Sequence, residues 1–264
     1  MPVVNSQRVK SQIKVLESHI ENIELFIPAL HSILSMYSSE KNKKARLFSL
    51  NKYPAYQIPG IVFSEIDSFF KRLAINHPAN AITIARQLWE DRYLEPKKFA
   101  ITLITNINPD YYSTSIDLLS SWVDDDINKE LFAEMISTMT TRTKLVEEDD
   151  LLNLISTWLN SNSRDMQKHG LLALGFVASH KEFQNIPRIF SLITPLFSQP
   201  DLLLQKDLIA FIKTLINRTQ PETASFLIML LEIYPNKNVY AFVRKCVPFF
   251  DEYFQEELRK VLHR

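Results

Sequence analysis

The sequence predicts an all-α protein, a curved solenoid of antiparallel helical repeats, and three observations predict it. Glycine is scarce, with three in 264 residues. Sheets need tight turns and tight turns draw on glycine, so this composition favours helices. Apolar residues recur at spacings of three and four through one run after another, the period of a helix with one buried face. The runs break at Pro78, Pro96, Pro109, Pro187, Pro200, Pro221 and Pro235, and proline is well tolerated in the first turn of the helix that follows.

Taken in order, residues 6–38 read as helix, with Ile13, Leu16, Ile20, Ile23 and Ile27 on one face. Pro28 is expected to kink or split it. Residues 39–60 are the least regular: Lys41, Lys43, Lys44 and Arg46 form a basic run, and Pro54, Pro59 and Gly60 forbid a long helix. Helical runs then follow at 62–75, 79–91, 96–107, 110–122, 127–140, 148–159, 164–180, 184–197, 201–217, 222–233, 237–248 and 250–262. A helix pair recurs every ~35 to 40 residues, the period of a HEAT-type repeat. No repeat consensus is crisp, and an irregular helical bundle is the alternative. The whole chain, 1–264, reads as a single α-helical repeat domain, with N-terminal helices and a basic irregular segment over 1–60 and helical repeats over 61–264.

Within this pattern, residues 158–178 read as the end of one helix, a polar corner and the start of the next. Trp158 and Leu159 close an apolar run, and Asn160, Ser161, Asn162 and Ser163 supply side-chain oxygens that can cap a new helix. Asp165 sits in the first turn, where the helix dipole favours an anion. Gly170 and Gly175 are two of the three glycines. Glycine inside a helix costs ~1 kcal/mol against alanine, so close helix packing is the expected reason for both. Arg164 and Lys168 share one side of this helix with Gly175, placed to meet a phosphate backbone.

The charges narrow the function classes. The chain is 46% hydrophobic and 23% charged, with a formal net charge of zero. That is enough apolar material for a large core, and the neutral total weighs against a dedicated, sequence-indifferent DNA binder. The charge is uneven: residues 111–160 carry ten acids and three bases, 161–220 seven bases and four acids, and 1–60 eight bases and four acids. Cys246 is the single cysteine, which excludes an internal disulfide and a Cys-rich metal site, and it reads as an ordinary, partly buried thiol. His169 and His180 have no second ligand at metal spacing. There is no Gly-rich phosphate loop and no Gly-x-Ser-x-Gly elbow, so no metal and no cofactor is expected. Neither a signal peptide nor an apolar run of ~18 residues is evident. A cytoplasmic monomer without a membrane partner is the expectation.

Four stretches, by their order and spacing, resemble the AlkD-like DNA alkylation repair proteins. YPAYQIPGIVFSEIDSFFKRL (53–73) resembles the Phe/Tyr-rich loop leading into their second helix. LWEDRYLEPKKFAITLI (88–104) resembles their Leu-Trp helix end, corner and Ala-rich helix. WLNSNSRDMQKHGLLAL (158–174) resembles their Trp, polar corner, basic pair and apolar helix, and LLQKDLIAFIKTL (203–215) their Gln-Lys helix. The resemblance runs over roughly residues 10–250. It implies HEAT-like helical pairs whose basic concave face cradles duplex DNA, and, in some members, a glycosylase that removes N3- or N7-alkylated purines. Where the family has a Trp and, four residues on, a catalytic Asp, this chain has Lys129 and Ala133. Where it has an Arg-Arg pair, this chain has Gln167 and Lys168. Where it has a Trp in the Gln-Lys helix, this chain has Ala210, with Phe211 adjacent. Cationic alkylpurines are good leaving groups, so the enzyme needs chiefly a carboxylate beside the developing oxocarbenium sugar and aromatic faces against the lesion. The resemblance therefore implies that phosphate binding outlasts catalysis here.

Candidate site residues follow. For DNA binding they are Arg164, Lys168, Lys206, Lys213, Lys43 and Lys44, with Arg164, Lys168, Lys206 and Lys213 expected in one concave groove. For the aromatic wall they are Trp122 and Phe211, although Trp89, Trp122 and Trp158 all sit near helix ends in apolar company, which favours core packing. For a carboxylate in a shifted register they are Asp124, Asp125, Asp126 and Glu130, set against the plain reading of Asp-Asp-Asp-Ile-Asn as a solvated helix start. Three functions stand open: a protein binding double-stranded DNA, recognising alkylated or branched sites with glycosylase activity weak or lost; a non-catalytic scaffold for a protein partner; and an active alkylpurine glycosylase using an acid from 124–130.

Overall fold

The computed structural model describes residues 6–38, 53–142, 148–198 and 204–263; Lys43 and Lys44 lie outside them. The described helices are α1 (Ser6–Ser18), α2 (Ile23–Tyr37), α3 (Gly60–Asn76), α4 (Pro78–Trp89), α5 (Leu94–Thr105), α6 (Tyr112–Trp122), α7 (Lys129–Arg142), α8 (Glu148–Leu159), α9 (Arg164–Ser179), α10 (Ile186–Ile193), α11 (Gln205–Arg218), α12 (Gln220–Ile233), α13 (Lys237–Cys246) and α14 (Glu252–Leu262). Short 3-10 turns flank three of them, at Pro109–Tyr111, Thr194–Phe197 and Val247–Phe249. No strand occurs among the described residues, and none of their helices is long and apolar enough to cross a membrane. The fold is an all-α helical-repeat architecture. Among the described residues, short corners join consecutive helices that pack on each other, as α4 with α5 and α8 with α9, the arrangement that lets two amphipathic faces bury each other.

The sequence set the helix ends well because caps are local. Asn22, Asn185 and Asn236 accept backbone N–H groups of the first turns of α2, α10 and α13, and Pro78 opens α4. One boundary differs from expectation. The first helical run splits at residues 19–22, and Pro28 lies inside α2. The carboxamide of Asn22 supplies a stronger start signal there than Pro28 supplies a stop, since a proline near a helix N-terminus removes one hydrogen bond without ending the helix.

The contacts divide the chain into two compact units, residues 1–123 with 127–135, and residues 124–126 with 136–264. In the first, α5 is the hub, packed on α3 and α4. It is buried on almost every side, from Leu94 to Thr105, as a helix enclosed by neighbours must be. Phe70 stacks on Phe99 with centroids 4.9 Å apart and meets Phe26 edge-on at 6.1 Å. The segment leading into α3 is held by buried Glu95, whose carboxylate accepts the Tyr56 and Gln57 amides at 2.9 and 2.6 Å. That anchorage holds Gln57 in the left-handed region, at φ 54°.

In the second unit, α9 packs on α8 and α11, α11 on α13, and α12 on α11 and α14. The result is two helix layers, α9–α11–α13 and α8–α10–α12–α14. Arg218, at the end of α11, ties the corner after α9 by donating to the carbonyls of His180, Lys181 and Phe183 at 2.5–2.8 Å. Cys246 is fully buried rather than partly so, and desolvation pushes its thiol from 9.0 up to about 12.

The two helical glycines differ. A Cβ on Gly170 would lie 2.8 Å from Leu159 Cγ and Cδ2 and 3.0 Å from Leu159 N, so the close α8–α9 approach requires glycine. A Cβ on Gly175 would meet only Phe211, at 3.8 Å; close packing does not account for this glycine. Gly170→Ala is expected to destabilise the protein by about 1–3 kcal/mol through overpacking, whereas Gly175→Ala should stabilise it by up to ~1 kcal/mol. Urea denaturation decides this, and a Gly170→Ala protein as stable as wild type contradicts the packing argument. Cys246 should resist thiol reagents in the folded state. Because its folded pKa is raised, its contribution to stability is intact below pH 9 and declines between pH 9 and about 12; a thiol that reacts at neutral pH without denaturant refutes the burial.

Candidate nucleic-acid interface

The second unit places its charges by layer. Helices α9, α11 and α13 carry eight basic and two acidic residues. Helices α8, α10, α12 and α14 carry three basic and eight acidic residues. The segregation arises because consecutive helices alternate between layers, so neighbouring stretches of sequence of opposite charge end on different sides.

The basic layer starts at the 160–163 corner. Ser163 caps α9, its Oγ accepting from Met166 N at 3.4 Å while donating to Asp125. Gln167 donates to Ser161 O at 2.9 Å and so braces the corner. Arg164 is exposed in the first turn. Lys168 lies 2.9 Å from Asp165 Oδ1, and that hydrogen bond raises its pKa, keeping it a firm cation. On α11 the exposed stripe is Lys206, Ala210, Lys213 and Asn217, spaced four, three and four residues apart as one helix face requires. Lys213 Nζ lies 5.2 Å from the centroid of the Phe249 ring. On α13, Lys237, Arg244 and Lys245 are exposed, and Lys245 donates to Gln205 at 2.6 Å, joining α13 to the start of α11.

Between α9 and α11 runs a shallow cleft of about 300 Å³, with Lys168, Leu172, Phe176, Asp207, Ala210 and Thr214 in its walls. Phe211 also reaches it, though the ring is 3% exposed and belongs to the core. The small side chain of Ala210 leaves the α11 wall without an aromatic face. Lys168 is the one expected groove cation in these walls; Arg164, Lys206 and Lys213 stand on the exposed stripes of the same layer.

The acids are placed otherwise. Asp124, Asp125, Asp126 and Glu130 are all exposed. Asp124 Oδ1 accepts from Asp126 N at 3.0 Å, an Asx-type turn, and Asp125 accepts from Ser163. Asn128, not an aspartate, caps α7, accepting from Glu130 N and Leu131 N at 2.9 and 3.1 Å. Ala133 is half-buried, and Glu134 pairs with Lys98 at 2.8 Å. Trp122 is buried against Trp89, centroids 4.5 Å apart and rings 9° from parallel, and Trp158 is 2% exposed. Among the described residues, no group of three His, Cys, Asp or Glu side chains could hold a metal ion. Sequence reasoning passed over Lys237, Arg244, Lys245 and Phe249; the basic last turn of α13 was the available signal.

Among solved structures the chain is similar to a designed armadillo repeat protein in complex with the peptide (KR)4, at 17% identity over 97% of this chain and 98% of that one, with a TM-score of 0.41. It is also similar to an engineered protein, at 15% identity over 98% of this chain and 96% of that one, with a TM-score of 0.39. No relative is found among the curated proteins. The model of the family described as DNA alkylation repair enzyme matches residues 37–238, from the end of α2 into α13. That span is well over half of the sequence, and the chain belongs to the DNA alkylation repair enzyme family.

Proposed function

We propose that the protein binds duplex DNA by its phosphate backbone through the α9–α11–α13 layer, and that base-releasing activity is weak or lost. The observation that carries this is the charge segregation between the two helix layers of the second unit. A neutral protein with no preference for polyanions gains nothing from sorting its charges this way. A phosphate-binding one gains a positive face and keeps its solubility. Arg164, Lys206 and Lys213 stand on exposed stripes and Lys168 in the wall of the adjoining cleft, where each can neutralise a phosphate and release condensed counterions. Such contacts fix position and carry no sequence information, which fits a repair protein that must scan any sequence.

The chemistry of base removal finds less support. Ala133 and Ala210 stand where family resemblance implies a carboxylate and an aromatic wall. The four neighbouring acids lie in water, where a carboxylate stabilises a developing cation weakly. Loss of such an electrostatic contact costs ~100-fold in rate, or ~3 kcal/mol of barrier. A second reading, a scaffold for a protein partner, rests on an apolar groove of about 840 Å³ between α10 and α12, where Phe190 stacks on Phe226 beside Pro195 and Met229.

Two outcomes test the proposal. Duplex affinity measured across a salt series should fall steeply with salt. Lys168→Ala and Lys206→Ala should each weaken it and reduce the slope by about one, while Lys260→Ala, on the acidic layer, should change neither. Unchanged slopes in the first two variants, or no binding at low salt, would leave the scaffold reading. Base release from DNA carrying 7-methylguanine or 3-methyladenine should stay near the spontaneous rate. Release far above it, abolished by Asn at Asp124, Asp125 or Asp126 or by Gln at Glu130, would make the protein an active glycosylase.

A further inference from the structure

One feature of the basic layer serves no purpose in gripping phosphates. Phe249 is 39% exposed, while Phe197, Phe211, Phe226, Phe242 and Phe250 of the same unit are buried. Its position is well fixed. It closes the 3-10 turn Val247–Phe249, its neighbours Val247 and Phe250 are both buried, and Pro248 restricts the turn's backbone. The ring therefore stands out from a rigid mount instead of swinging on a loop.

A cation stands against it. Lys213 of α11 places its ammonium 5.2 Å from the ring centroid. Arg244 and Lys245 lie within the preceding turns, and the bond from Lys245 to Gln205 brings the end of α13 beside the start of α11, next to Lys206. Phe249 and most of α13 lie beyond residue 238, where the family match ends. An exposed aromatic ring with the Lys213 ammonium against it, on a layer that also exposes Lys206, Arg244 and Lys245, suits a polyanion that also offers flat apolar faces. Intact duplex DNA offers phosphates but keeps its base faces stacked inside. DNA with an unpaired or extruded base offers both.

We infer that Phe249, with Lys213, Arg244 and Lys245, forms a stacking pad for an unpaired nucleobase, directing the protein to gaps, ends or junctions in DNA. The pad rests on the DNA-binding reading above. The cations hold the backbone on either side of the break, and the exposed base covers the ring. Any base has a π-face, so the pad selects structure over sequence.

The test compares an intact duplex with a duplex of the same length carrying a short single-stranded gap. The wild type is expected to prefer the gapped form. Phe249→Ala should lower affinity for it about tenfold, within the range of one aromatic–base stack, and leave intact-duplex affinity and the thermal midpoint unchanged. Phe249→Trp should retain the preference and lose tryptophan fluorescence when gapped DNA binds. The inference is overturned if Phe249→Ala weakens both DNAs equally or neither, or if the tryptophan of Phe249→Trp is unaffected by gapped DNA. Absence of binding to either DNA overturns the DNA-binding reading together with the pad, so the two failures are distinct.

Discussion

The contact between Leu159 and Gly170 is the constraint on which the second unit depends. At 2.8 Å from where a Cβ would stand, Leu159 leaves no room for any residue but glycine. The close α8–α9 approach that results buries Trp158 and Leu159 against the apolar face of α9. Once α9 is seated there, its other flank receives α11, and α11 in turn receives α13. The middle helix, α11, is covered by α9 and α13 on its flanks and by α12 behind, so the narrow stripe left to it must be polar. Exposed positions of the layer are where selection on surface charge can act without cost to packing, and they include Arg164, Lys206, Lys213, Lys237, Arg244 and Lys245.

This explains how a chain of zero net charge can present a positive face. Windows along the sequence average over both layers, because consecutive helices alternate between them. The acids of α8 precede the bases of α9, and Glu222 and Glu232 of α12 follow Lys206 and Lys213 of α11. Read in sequence, residues 161–220 are mildly basic; sorted by layer, eight bases stand against two acids on one side. The neutral total weighed against DNA binding only while the charges were counted without their places.

Helix positions were legible in the sequence because their signals are local. The Asn160–Ser163 corner, the proline starts and the apolar periods gave boundaries close to the observed ones. What depends on partners distant in the chain was less legible. Gly170 and Gly175 look alike in sequence, yet one faces Leu159 and the other faces open space in front of Phe211. Trp122 reads in sequence as a core residue with a groove aromatic as the alternative, and the choice falls to the core once Trp89 is seen stacked upon it. The Asp124–Asp126 run reads in sequence as a solvated helix start, with a carboxylate cluster as the alternative; its observed hydrogen bonds shape a turn and reach the Ser163 cap, and Asn128 caps the helix. Phe249 sits in an ordinary apolar segment of sequence, and its exposure is a property of the 3-10 turn after α13.

Lysine reactivity footprinting tests the central claim most directly, since it reads each cation in place. Acylation rates of the lysines, measured with and without saturating duplex DNA, should fall at Lys168, Lys206, Lys213 and Lys245 on the basic layer. Lys260, on the acidic layer, should react at the same rate in both. Bound DNA that protects Lys260 as strongly as those four, or leaves all of them unprotected, would contradict the account.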